Sequence, residues 1–150
     1  MKKPSYYNSE GYPNPTAYYA ELHMMEEEKK HKAELHKFRP IVYICSPFAG
    51  DVKTNVRKAR RYSRFAVKEG FLPITPHLLF PQFLDDTNAD EREVGLFMGK
   101  VLLTKCVEIW VFGDVISKGM RQEIQKARWK GMQIRYFTEQ LQEVKHGKSV

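Results

Sequence analysis

The chain has 150 residues, enough for one domain around one core. A hydrophobic fraction of 42% fits a globular protein, and no apolar run approaches the roughly 20 residues of a membrane span. The net charge of +7 permits a polyanionic partner without establishing one.

The opening Met1-Lys2-Lys3-Pro4 has no apolar core, so no signal peptide is expected. Cys45 and Cys106 are the two cysteines, and both fall in expected strands. They read as small buried thiols of a reducing cytoplasm. The histidines are scattered without metal-ligand spacing, so neither a metal site nor a cofactor is expected.

Residues 1–15 are polar and rich in Tyr, Asn, Gly and Pro, an irregular arm. Asn14 as cap and Pro15 at the first helical position start a helix that should run to about Phe38, before Pro40. Its short apolar stripe is Tyr18, Leu22 and Met25, and Glu26/Lys30 and Glu28/Lys32 are favourable pairs four apart. The division is therefore 1–39, an arm and helical extension, and 40–150, the main domain.

Ile41 to Cys45 is the first core strand, and the loop Ser46 to Asp51 follows its carboxyl end. Residues 52–69 read as a helix whose small face, Val56, Ala59, Ser63 and Ala66, suits close packing on a sheet. Its other side carries Lys53, Arg57, Arg61, Arg64 and Lys68, a stripe that suits either solvent or nucleic acid. No aromatic residues interleave with these charges to stack on bases, which favours solvent.

Phe71 to Ile74 is a short strand, and residues 75–88 form a long connection of mixed apolar and acidic character. A helix over about Ala89 to Thr104 follows, with Asp90 and Glu91 suiting the positive end of its dipole. Next come a strand over Val107–Phe112, a helix over Lys118–Lys130 and a strand over Met132–Phe137. Thr138 to Val144 is expected to form a last short helix, and the tail to be loose. Strands alternating with helices argue for an α/β fold, a flavodoxin- or Rossmann-like three-layer structure with a four- to five-stranded parallel sheet.

Ligands of such sheets bind at the carboxyl ends of the strands. There the chain offers the Ser46–Asp51 loop, the 75–91 segment and Ser117–Glu123. Ser117 is a good N-cap, so the free N–H groups of the next helix start at Lys118, Gly119 and Met120. Glu123 is the sole acid between Val115 and Phe137, and it borders the apolar stripe Met120, Ile124, Ala127 and Gly131. An ion pair with a nearby Lys or Arg is one use for such a carboxylate. The other is chemistry. Neither the dinucleotide fingerprint nor the P-loop is present, and no Cys/His pair stands out. Hydroxyls, amides and carboxylates suit a sugar and its anomeric carbon, which needs a carboxylate on one face and a proton donor at the leaving group.

Tyr43-Ile-Cys-Ser-Pro-Phe48 after a strand, and Ser117-Lys-Gly-Met-Arg-Gln-Glu123 opening a helix, resemble the nucleoside 2-deoxyribosyltransferase superfamily, in particular its small, mostly uncharacterised phage and bacterial branch. The likeness spans about residues 40–137. It implies a flavodoxin-like sheet in dimers or larger homo-oligomers, and cleavage or transfer at the N-glycosidic bond of a nucleoside or its 5′-monophosphate. The family's nucleophile falls on Glu123, and the proton donor on Asp86 or Glu91, with Asp90 also competing. The implied substrate-binding set is Tyr43, Ser46, Pro47, Phe48, Asp51, Ser117, Gly119 and Met120. A serine at 117 matches family members that hold a 5′-phosphate. Three departures stand out, the first being that the family's general acid has no unique counterpart among Asp86, Asp90 and Glu91. The acid that commonly starts the third strand is replaced around Val107-Glu108, and the tyrosine that orients the nucleophile aligns nearer Val42 than Tyr43. Three readings follow: an enzyme, a module that binds nucleotides without turnover, and a nucleic-acid-associated protein using the Arg57–Lys68 stripe.

Overall fold

The computed structural model describes residues 2–145, and the chain divides after Phe38 into two compact units. In the first unit, helix α1 spans Pro15–Leu35. The Asn14 side chain accepts the Ala17 N–H at 3.3 Å, supplying the cap that the Asn-Pro start promised. Within α1 only Tyr18, Leu22 and Met25 are half-buried. Tyr6 packs edge-on against Tyr18, with ring centroids 5.4 Å apart. The ion pairs Lys30–Glu27 and Lys37–Glu34 are three apart, in place of the expected pairs at four.

The second unit contains strands β1 (Ile41–Cys45), β2 (Leu72–Ile74), β3 (Glu108–Phe112), β4 (Gln133–Phe137) and β5 (Glu143–Val144). Its helices are α2 (Val52–Lys68), α3 (Pro76–Leu79), α4 (Ala89–Leu103) and α5 (Lys118–Trp129). The sheet order is β2-β1-β3-β4-β5, the flavodoxin-like arrangement. The first four strands are parallel and β5 is antiparallel to β4.

Strand alternation divides the core into two halves. Val42, Ile44, Trp110 and Phe112 point to one face and pack with Tyr62 and Ala66 of α2. Tyr43, Cys45, Ile109 and Val111 point to the other and pack with Leu103 of α4 and Met120, Ile124 and Ala127 of α5. Both faces are covered, which explains why β1 and β3 read as continuous apolar runs. Lys53, Arg57, Arg61, Arg64 and Lys68 are all exposed on α2, and Arg61 donates to the Glu139 carbonyl at 2.8 Å.

Four expectations need correction. The 75–88 connection is not structureless. Pro76 and Pro81 start helical turns, giving α3 and a 3₁₀ turn over Phe80–Gln82. Thr138–Val144 is not a helix. Leu141 takes a left-handed φ of 68°, and the chain turns back into β5. Arg135 then holds β5 through two hydrogen bonds to Glu143, at 2.9 and 2.8 Å. Gly131 is exposed and does not join the packed stripe of α5; its φ of 69° ends that helix, a conformation suited to glycine. Cys106 lies in the turn before β3, outside any strand, although it is buried as expected. Of the tail expected to be loose, residues 146–150 lie outside the described residues. Among the described residues no helix is long and apolar enough to cross a membrane.

Candidate active site

The site is assembled at the carboxyl ends of β1 and β3, on the face covered by α4 and α5. After β3 the backbone turns at Gly113, whose φ of 91° favours glycine. The Ser117 hydroxyl then accepts the Met120 N–H at 3.3 Å and starts α5. Burial of Met120 and Ile124 fixes the rotation of α5, and this turns Glu123 toward β1.

There the Tyr43 hydroxyl donates to Glu123 Oε1 at 2.8 Å. The second oxygen, Oε2, is buried with no hydrogen-bond partner among the described residues. No ion pair to Lys or Arg is formed by Glu123 among those residues, so the structural alternative weighed from sequence is not what the geometry contains. The tyrosine assignment is also corrected. Val42 faces α2, whereas Tyr43 reaches the carboxylate, because adjacent strand residues point to opposite faces.

Burial raises the Glu123 pKa, and the neighbouring Cys45 thiol and the Tyr43 hydroxyl oppose that rise. Desolvation is the largest of these influences. Tyr43 is pushed well above the usual phenol range, first by burial and then by the neighbouring carboxylate.

A cleft of about 310 Å³ opens beside this pair. Tyr43, Phe48, Ser117, Gly119, Met120 and Glu123 all line it, as do Asp86 and Glu91. The structure therefore brings all three expected catalytic residues and five of the eight expected substrate-binding residues to one cavity. Asp90 is not among the lining residues; its N–H is held by the Asn88 cap at 3.0 Å. The Glu91 carboxylate accepts the Asp85 N–H at 2.9 Å.

Three expected residues lie elsewhere. Ser46 follows the alternation of Val42 and Ile44, so it lies with Pro47 on a second cleft of about 240 Å³, against Asn55 and Tyr62 of α2. Asp51 is exposed and caps α2, accepting the Thr54 N–H at 3.3 Å. Hydrogen bonds from Thr54 hold its carboxyl below the usual range.

The cleft also contains residues that sequence reasoning missed. His77 stacks on Phe48, with centroids 4.9 Å apart and planes 13° from parallel. Burial lowers its pKa, opposed by the Ser46 backbone and the charge of Asp86. Arg92, Lys100 and Lys118 place three cations on the lining. Thr75-Pro76, a helix-start signal, could have located His77.

The sheet order defines a flavodoxin-like α/β fold with its cleft at the carboxyl ends of the parallel strands. The 2-deoxyribosyltransferase of Bacillus psychrosaccharolyticus is similar, with a TM-score of 0.57 and 12% identity over 73% of this chain and 76% of that one. A 2-desoxiribosyltransferase from Leishmania mexicana gives 0.46 and 14% identity, over 66% and 64% of the two chains. No curated protein matches the sequence. Residues 40–137 match a family described as a domain of unknown function (DUF7768), and the chain belongs to that family.

Proposed function

We propose that the cleft binds a deoxynucleoside or its 5′-monophosphate and that Glu123 attacks the anomeric carbon. One observation carries this reading: the Glu123 carboxylate has one oxygen held by Tyr43 and the other buried and unpartnered among the described residues, beside a cavity large enough for a pentose. In the proposed step, a Glu123 oxygen bonds to C1′ as the C1′–N bond breaks. The bonding electrons leave on the base, which takes a proton from Asp86 or Glu91. Water or a second base then attacks C1′, gives a proton back to the Asp86 or Glu91 carboxylate, and releases the Glu123 carboxylate. Lys118 and the N-terminus of α5 supply the positive potential that a 5′-phosphate requires.

The test is incubation with a panel of deoxynucleosides and their 5′-monophosphates, with and without a second base, followed by chromatography. Free base or an exchanged nucleoside is expected from the wild type and none from Glu123→Ala. Release that persists in Glu123→Ala sinks the assignment.

A second reading is supported by the pKa direction at Glu123. Burial of Glu123 disfavours the carboxylate form that attack requires, and a cleft without that attack would bind a nucleotide without turnover. Ligand-induced thermal stabilisation with no released base would favour it. We also propose a homo-oligomer, because Phe83 and Phe97, on the segment that builds the cleft, are 62% and 63% exposed.

A further inference from the structure

The cleft side of α4 consists of two rows at helical spacing: Glu91, Gly95 and Gly99, and beside them Arg92, Leu96 and Lys100. Two glycines one turn apart inside a helix are destabilising relative to alanine. Packing does not require them. A Cβ at Gly95 would meet Leu84 Cδ1 at 3.5 Å, and one at Gly99 would meet Tyr43 Oη at 3.6 Å, both ordinary contacts. The ligand-free protein could hold both methyl groups. What they would fill is the cleft, and at Gly99 the space next to the hydroxyl that holds Glu123.

We infer that Gly95 and Gly99 are specificity-determining residues. They leave bare helix backbone on which the flat heterocycle of a bound nucleoside or nucleotide lies. The surroundings match the two parts of such a ligand. Leu84, Leu96 and Phe80 give the α4 side an apolar patch among its charged residues, as a base with polar edges requires. Ser117 and Lys118, at the start of α5, make the other side polar, as a sugar phosphate requires. Methyl groups at 95 or 99 exclude the base and leave the sugar-phosphate side open.

This inference rests on the nucleotide reading, and the experiment separates the two. Ligand-free Tm is measured for wild type, Gly95→Ala and Gly99→Ala, then repeated with deoxynucleoside 5′-monophosphates and with deoxyribose 5-phosphate, which has no base. Both variants should melt about 2–4 °C higher than wild type when free. Both should bind nucleotides about tenfold or more weakly. Gly95→Ala, whose methyl group does not touch the Tyr43 hydroxyl, should keep its response to deoxyribose 5-phosphate. A lower ligand-free Tm in both variants overturns the inference, since the glycines would then serve packing. Unchanged nucleotide affinity overturns it too, as does equal loss of both ligands. A wild type that responds to no nucleotide refutes the nucleotide reading, and the ligand-free Tm then decides the role of the glycines.

Discussion

Tyr43 and Glu123 stand 80 positions apart in the chain and 2.8 Å apart in the fold, joined phenol to carboxylate. The contact couples the middle of β1 to the second turn of α5. Removing the hydroxyl in Tyr43→Phe leaves a buried carboxylate oxygen without its donor. Stability at neutral pH should fall by about 1–3 kcal/mol in urea denaturation. The Glu123 pKa should rise further, because that hydrogen bond opposes the effect of burial. Base release should drop on the order of tenfold, with the acid limb of the pH–rate profile moved to higher pH. An unmoved limb would separate Tyr43 from the chemistry.

Glu123 should also set part of the pH dependence of stability. Its folded-state pKa lies above the unfolded value near 4.5, so the folded state holds the proton more tightly. The stability it contributes is complete below the unfolded value and is lost as pH rises through the folded one. Glu123→Gln keeps an acceptor for Tyr43 and removes the titration. Relative to wild type, the variant should gain stability as pH rises above about 4.5, measured by urea denaturation at a series of pH values. A constant difference across that range would contradict the pKa direction.

His77 works in the opposite sense. Burial lowers its pKa from about 6.5, so the unfolded chain binds the proton more readily. Its contribution is present above 6.5 and is lost as pH falls through the folded-state value. His77→Phe can keep a ring on Phe48 while removing the charge. The variant should lose less stability than wild type as pH falls below 6.5. Equal acid sensitivity in the two proteins would count against a buried neutral imidazole.

Arg135 ties the sheet edge together. It bonds Glu143 twice, lies 3.6 Å from Glu108 and stacks over Trp110 at 4.7 Å. Arg135→Ala should cost about 1–2 kcal/mol in denaturant unfolding, most of it from lost packing on the aromatic ring and from freeing β5, since the ion pairs are partly exposed. Nucleotide binding should be unchanged, because the residue does not line the cleft.

The exposed phenylalanines of the 79–101 segment give a test of assembly. Light scattering should find a homo-oligomer, and Phe97→Glu should shift it toward monomer. A monomeric wild type at micromolar concentration would refute the proposal.

Much of this arrangement was legible from sequence because long, doubly covered elements announce themselves. The run Ile109–Phe112 and the cap at Ser117 fixed β3 and the start of α5 to within a residue or so. Glu123 stood out because the surrounding stretch has no other acid. The losses were in directions. Ser46 and Tyr43 were placed together, although an odd separation in a strand sends them to opposite faces. His77 was passed over because a two-turn helical segment has too short a period to read. Asp51 was credited to the ligand, although a loop acid just before a helix serves first as its cap.

The two-sided layout of β1 has a bearing on how the chain can vary. Pro40 to Val42 deliver Tyr43 to one side of the sheet and Ile44 to the other. Substituting these residues perturbs packing locally. Deleting one of them would turn the strand over, presenting an aliphatic side chain to the carboxylate and burying a phenol beneath α2. Chain length at this point is therefore a stricter requirement than residue type.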